Sequence, residues 1–224
     1  MLVRALLLAH VALGGASVAV PTAAQLEWMD MEVGAMITYN LQTYCQPASA
    51  PASARSAQPC QLATSPAGEA MFVPSLEYAA SIAAPALDTD AWARAAASFG
   101  AKYVVLVADH MTGWTLWDTA AHNFSISRAA RGGDVVREML ASCRRYGLRL
   151  GVFYSVHFNW YLGVDDFAVG HAPLGPRTYT QQEYVAIAQQ QLRELFTIFD
   201  EDDDGRPPYE VRVVRCDSRE NVCA

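Results

Sequence analysis

Two kinds of pattern alternate along this chain: short apolar runs of strand length, and longer stretches whose apolar residues recur at helical spacing. Val33 to Tyr39 is a short apolar run that suits a buried strand. Asp88-Thr89-Asp90 can cap a helix in which Trp92, Ala95, Ala96 and Phe99 fall on one face and which Gly100 ends. Lys102 to Ala108 follows directly as a continuous β-rich run, as expected of a strand covered on both faces. The pattern then repeats. Asp134 caps a helix with the stripe Val135, Val136, Met139, Leu140 and Cys143, Gly147 closes it, and Leu148 to Ser155 is the next buried strand. Thr180 and Glu183 form a capping box for a helix whose stripe is Tyr184, Ile187, Ala188, Leu192, Leu195 and Phe196. Tyr209 to Val214 is a candidate fourth strand, and Cys45 to Gly68, rich in Ala, Ser and Pro, reads as a surface loop.

Strands separated by helices imply a parallel sheet, either open and doubly wound or closed into a (β/α)8 barrel. No GxGxxG follows any strand, so the dinucleotide-binding version lacks its signature. In a barrel, function collects where strands end. Those ends carry Thr38-Tyr39-Asn40, Asp109-His110 and Ser155 through Asn159, a polar and aromatic clustering that favours a site there.

The formal net charge of −7 argues against nucleic acid or an anionic membrane as a partner and is compatible with a neutral sugar polymer. The first residues have the pattern of a secretory signal over 1–19: Arg4, the apolar stretch Ala5 to Leu13, and the small-x-small site Ser17-Val18-Ala19. That stretch is too short and too diluted by Ala and Gly for a membrane span, so the expected location is secreted or lumenal, with lysosome and vacuole among the candidate compartments. Of the five cysteines, Cys45 and Cys60 could close a disulfide in an exported protein, and the odd count leaves at least one thiol over. No CxxC pair exists, so structural zinc is not expected. Asn123-Phe124-Ser125 is a glycosylation sequon. Asp200, Asp202, Asp204 and Gly205 match the first half of a calcium loop, but position 211 is Val where the closing Glu should stand, and Pro207 and Pro208 interrupt it. We therefore expect no metal and no cofactor.

Several motifs then occur in order. Pro21 to Trp28, Met31 to Ile37, Leu87-Asp88-Thr89-Asp90-Ala91-Trp92, Leu106 to Trp117 (LVADHMTGWTLW), Gly151 to Val164 and Gln189 to Leu195 together resemble the α-L-fucosidases of glycoside hydrolase family 29, in particular a eukaryotic branch. The resemblance implies an α/β chain forming a partial (β/α)8 TIM barrel, about the first four βα units, over 20–224, with a divergent tail from about 212. It implies retaining hydrolysis of terminal α-L-fucose from fucosylated glycans, which needs two carboxyls roughly 5 Å apart, one attacking the anomeric carbon and one serving as acid and base. By the same resemblance the substrate-binding candidates are His110, Trp117, Thr38 and Phe153. His110 matches a histidine that contacts sugar hydroxyls, and an imidazole can both donate and accept. Trp117 matches a motif position that also suits packing of barrel against helix. Thr38 stands where many members have a sugar-binding His, and Phe153 where a Tyr is usual. Met111 replaces a second His beside His110.

No catalytic residue can be assigned. The family's nucleophile is an Asp in Trp-Phe-Asp-Gly at the fourth strand, but here Glu210-Val211 is followed by Arg212, Val213 and Val214. Asp217 arrives too late to serve. The alternatives are therefore an α-L-fucosidase-like hydrolase, an inactive fragment or sugar-binding remnant lacking the nucleophile, and a free-standing α/β domain using His110 and His157 for unrelated chemistry. Val213-Val214-Arg215-Cys216 can be encoded as GTG GTT CGA TGC, which one base later reads Trp-Phe-Asp. The expectation is that a transcript read across Tyr209 to Ala224 restores Trp-Phe-Asp in a long open frame. An uninterrupted frame without it would overturn that.

Overall fold

The computed structural model describes residues 20–44, 60–64, 70–74, 76–84, 86–200, 216–217 and 222–223. The expectations for the signal segment, Cys45, the acidic run after Asp200 and the strand Tyr209 to Val214 lie outside these residues. The chain divides into two compact units, Met1–Glu32 and Val33–Ala224. The described part of the first is helix α1, Ala23–Asp30, opened by a reciprocal capping box. The Gln25 amide donates to Thr22 Oγ1 at 3.2 Å, and the Thr22 amide donates to Gln25 Oε1 at 2.8 Å.

The second unit is built on three parallel strands in the order β1 (Gly34–Ile37), β4 (Tyr103–Asp109), β5 (Arg149–Tyr154). Gly34 pairs with Tyr103, and Tyr103 with Arg149. Between β1 and β4 lie the antiparallel hairpin β2 (Cys60–Thr64) and β3 (Ala70–Pro74), then helices α2 (Leu76–Ser81) and α3 (Thr89–Ser98). Helix α4 (Val135–Arg145) links β4 to β5, and α5 (Gln181–Asp200) follows β5. Shorter pairs are β6 (Val164–Asp165) with β7 (Ala168–Val169), and β8 (Cys216–Asp217) with β9 (Val222–Cys223). The hairpin corrects the reading of Cys45 to Gly68 as loop throughout. Its two five-residue strands are long enough to pair, and residue composition hid the ladder.

Caps set where the helices start. Asp88 accepts from the Ala91 amide and Asp134 from the Arg137 amide, each at 2.9 Å, so each satisfies one of the free N–H groups of a first turn. The α4 stripe is wholly buried: Val135, Val136, Met139, Leu140 and Cys143 join Val104, Leu106 and Ala108 of β4 and Leu150, Val152 and Tyr154 of β5 in one core. Burial pushes the Cys143 thiol up to about 12, so the thiolate is disfavoured and this cysteine is inert packing. Helix α3 differs from expectation. It buries Thr89, Ala93 and Ala96, while Ala95 is exposed and Phe99 is 59% exposed. Trp92 and Ala96 of the expected stripe do pack against the core, beside Ala93, while Phe99 falls outside it. In α5, Phe196 is likewise exposed, and Leu195, Ile198 and Phe199 do the packing.

The helices cover one face of the sheet. On the other face Met36 is 61% exposed, and the ring of Tyr103 lies over Gly34, where a Cβ would come within 2.1 Å of it. Replacing Met139 by Ala leaves a cavity in the sealed layer and is expected to cost about 2–5 kcal/mol. Asp134→Ala removes only a cap and should cost about 1 kcal/mol. Urea unfolding midpoints of the two variants check the order.

Candidate active site

Parallel strands place all their carboxyl ends on one edge, and three of the four sequence-predicted residues stand there. Thr38 follows β1 and is exposed, His110 follows β4, and Phe153 is the penultimate residue of β5. After Thr38 the chain turns inward: Tyr39, Asn40 and Leu41 are buried, and Tyr39 lies 5.5 Å from Trp92 between ring centroids.

A break in register arranges the edge. Val107 pairs with Phe153 and Asp109 with Tyr154, so β4 takes two steps where β5 takes one. Such an irregularity re-aims the side chains beyond it. Val107 and Phe153 share one face, Asp109 turns with Tyr154 toward α5, and His110 returns to the first face. Its ring centroid is 6.4 Å from that of Phe153. His110 Nδ1 is buried without a hydrogen-bond partner among the described residues. Burial holds the imidazole below its ordinary pKa, so at neutral pH it is an uncharged donor and acceptor. The loop after His110 is braced by the short turn Trp160–Leu162, with Trp160 N–H donating to Met111 O at 2.8 Å and Tyr161 N–H to Thr112 O at 3.2 Å. Gly113, at φ +77°, is obligatory here because a Cβ would lie 2.2 Å from the Asn159 side-chain oxygen.

Trp117 is not brought to this face. It is 1% exposed, and its Nε1 donates to Glu194 Oε2 at 2.9 Å. Glu194 also accepts from the Ala120 amide at 3.0 Å, so one α5 carboxylate holds the loop after β4. Beside it, Tyr154 Oη donates to Gln191 Oε1 at 2.7 Å, and the Gln191 amide meets His122 Nε2 at 2.9 Å. Burial lowers His122 to about 4, so its ring is neutral at physiological pH. His157 is engaged within its own loop. It stacks on Phe158 and Phe167 at 4.0 and 4.4 Å and meets Asp166 Oδ1 at 3.0 Å. Among the described residues no cluster of three or more His, Cys, Asp or Glu could hold a metal ion, and no helix is long and apolar enough to cross a membrane.

The family model for α-L-fucosidase matches residues 24–204. The chain belongs to the α-L-fucosidase family. It is 31% identical over 114 residues to an α-L-fucosidase of Dictyostelium discoideum, covering 50% of this chain and 24% of that one. It is 34% identical over 139 residues to putative α-L-fucosidase 1 of rice, Oryza sativa subsp. japonica, covering 61% and 22%. The chain thus spans about a quarter of the length of these curated relatives. Among solved structures it resembles a glycoside hydrolase 29 family member from an unknown rumen bacterium, at TM-score 0.53 and 29% identity, covering 79% of this chain and 26% of that one. It also resembles a putative α-L-fucosidase from Bacteroides thetaiotaomicron, at TM-score 0.55 and 26% identity, covering 80% and 32%.

Asp109 closes β4 immediately before His110. The sequence reading placed Asp109 at the strand end without giving it a role, although an acidic residue closing so apolar a strand was the available signal. Asp109 is 1% exposed, and neither carboxylate oxygen has a hydrogen-bond partner among the described residues. Burial raises its pKa well above the carboxylate range, which the nearby His110 amide offsets only in part. Burial, and after it the charge of Asp109, raises the phenols of Tyr154 and of Tyr184, the latter to about 12.

A carboxyl whose folded pKa exceeds its unfolded value favours folding below the unfolded pKa. It loses that contribution as pH rises through the folded pKa. Asp109→Asn is therefore expected to raise the thermal midpoint at pH 7 by about 2–4 °C or more, with little gain at pH 4. Calorimetric scans of both proteins across that range check the sign.

Proposed function

We propose that this chain contributes the first strands of a (β/α)8 barrel of a retaining α-L-fucosidase, and that its strand-end face binds the terminal α-L-fucose of a fucosylated glycan. The observation that carries the reading is His110: an uncharged imidazole whose buried Nδ1 has no hydrogen-bond partner among the described residues, beside Phe153, inside the segment that matches the family. A sugar hydroxyl can donate to one ring nitrogen and accept from the other. Phe153 offers an apolar ring to the C–H face of the sugar, and Thr38 offers one hydroxyl at the neighbouring strand end. The location that fits is secreted or lumenal, reached through the signal segment at 1–19.

Retaining hydrolysis needs a nucleophilic carboxylate and an acid/base roughly 5 Å apart. Thr38, His110 and Phe153 carry no carboxylate, and Asp109 turns away from them toward Tyr154. This favours a second reading for the polypeptide by itself, sugar binding without turnover. In either case His110 fixes the sugar, and the bond-breaking groups have to come from outside these three strands.

Isothermal titration with L-fucose, run beside hydrolysis of an aryl α-L-fucoside, separates the readings. Binding with turnover supports a hydrolase, binding alone supports the remnant, and neither removes the fucose assignment. His110→Ala is expected to weaken fucose binding at least about tenfold, the effect of one lost buried hydrogen bond. Any loss of fucose binding on acidification should set in below the ordinary imidazole pKa, because burial disfavours the charged ring.

A further inference from the structure

The sequon Asn123-Phe124-Ser125 lies in the loop between β4 and α4. Its setting is rigid. Phe124 is buried and stacked on Tyr161 at 4.6 Å and 8°. The Phe124 carbonyl accepts from the Thr115 amide at 3.2 Å, and the Phe124 amide donates to His122 Nδ1 at 3.2 Å. Ser125 is buried with its hydroxyl 2.7 Å from that of Ser127. Asn123, between these fixed neighbours, is exposed and stands in the wall of an open cleft of about 520 Å³.

The cleft suits a neutral sugar. Its walls include His122, Tyr161, Arg177, Tyr179 and Glu183. The Arg177 guanidinium lies 4.0 Å from the centroid of the Tyr179 ring and donates to Glu183 Oε1 at 2.8 Å. The Thr180 backbone amide, Arg177 and the Thr180 hydroxyl hold Glu183 down at about 2. His122 is neutral, so the cation and anion balance across the physiological range. Paired charged groups can bond sugar hydroxyls and an acetamido group, while the aromatic surface meets the C–H face. The volume lies within the usual range for small-molecule sites, about 300–1,000 Å³.

We propose that Asn123 carries an N-linked glycan and that this cleft seats its innermost N-acetylglucosamine. The donor is a lipid-linked diphosphate oligosaccharide of the secretory pathway. The Asn123 Nδ2 to sugar C1 bond forms, the C1–O bond to the diphosphate breaks, the lipid diphosphate leaves with that oxygen, and the amide gives up one proton. Transfer acts on the nascent chain, and the exposed position lets the folded protein keep the product. The proposal rests on the export reading given above.

The test is to secrete the full chain from a eukaryotic host and weigh the peptide spanning 103–128 before and after peptide N-glycosidase. The expected result is an added oligosaccharide mass on Asn123, absent from Asn123→Gln and from Ser125→Ala. Removing the glycan should then lower the thermal midpoint by about 2–4 °C in the parent and not in Tyr179→Ala. A glycan whose removal leaves the midpoint unchanged overturns the seat in the cleft. An exported chain with bare Asn123 overturns the site while leaving export intact. A chain kept in the cytosol with residues 1–19 uncleaved overturns the export reading and the site with it.

Discussion

The slip in pairing between Val107 and Asp109 governs most of what this molecule presents. A strand of strict alternation would carry Asp109 onto the face of Val107 and hide His110 among the helices. With the slip, a carboxyl enters the packed layer and an imidazole reaches the open face. The two consequences are inseparable. The same backbone irregularity that buries Asp109 without a hydrogen-bond partner among the described residues brings the adjacent ring to the open face.

Around that slip the structure is over-determined. Beyond the sheet, α5 clamps the β4 side through Glu194, which takes both the Trp117 indole N–H and the Ala120 amide. On the other side, Ser142 of α4 donates to Asp90 of α3 at 2.6 Å and shares a 2.9 Å hydroxyl contact with Thr89. These polar contacts lie across a largely apolar layer, where each fixes an orientation that hydrophobic burial alone would leave loose. The layer can hold β4 in an irregular conformation because every neighbouring element is pinned.

What could be read from the residues follows from the range over which each feature acts. The α4 stripe was legible because five bulky apolar residues at helical spacing leave one solution, and all five are buried. The two Asp caps were legible for the same local reason. In helix α3 the reading held for Trp92 and Ala96 and failed for Ala95 and Phe99, because Ala93, with its weak hydrophobic signal, takes part of the contact. The β2–β3 hairpin was missed because a small-residue composition masks pairing. His110 came from a motif and Asp109 was visible as an oddity. The slip that separates their directions exists only in the ladder between two strands, and the Trp117–Glu194 bond joins residues 77 apart. Neither is encoded in any window of sequence.

The Tyr103 ring over Gly34 gives the open face a direction. At the amino ends of β1 and β4 the space beside the backbone is already taken by an aromatic ring, and only a glycine lets the strands lie so close beneath it. At the carboxyl ends the same face carries Thr38 and an imidazole whose Nδ1 has no hydrogen-bond partner among the described residues. The face is therefore polarised: an aromatic ring fills its amino end, and its polar groups stand at its carboxyl end.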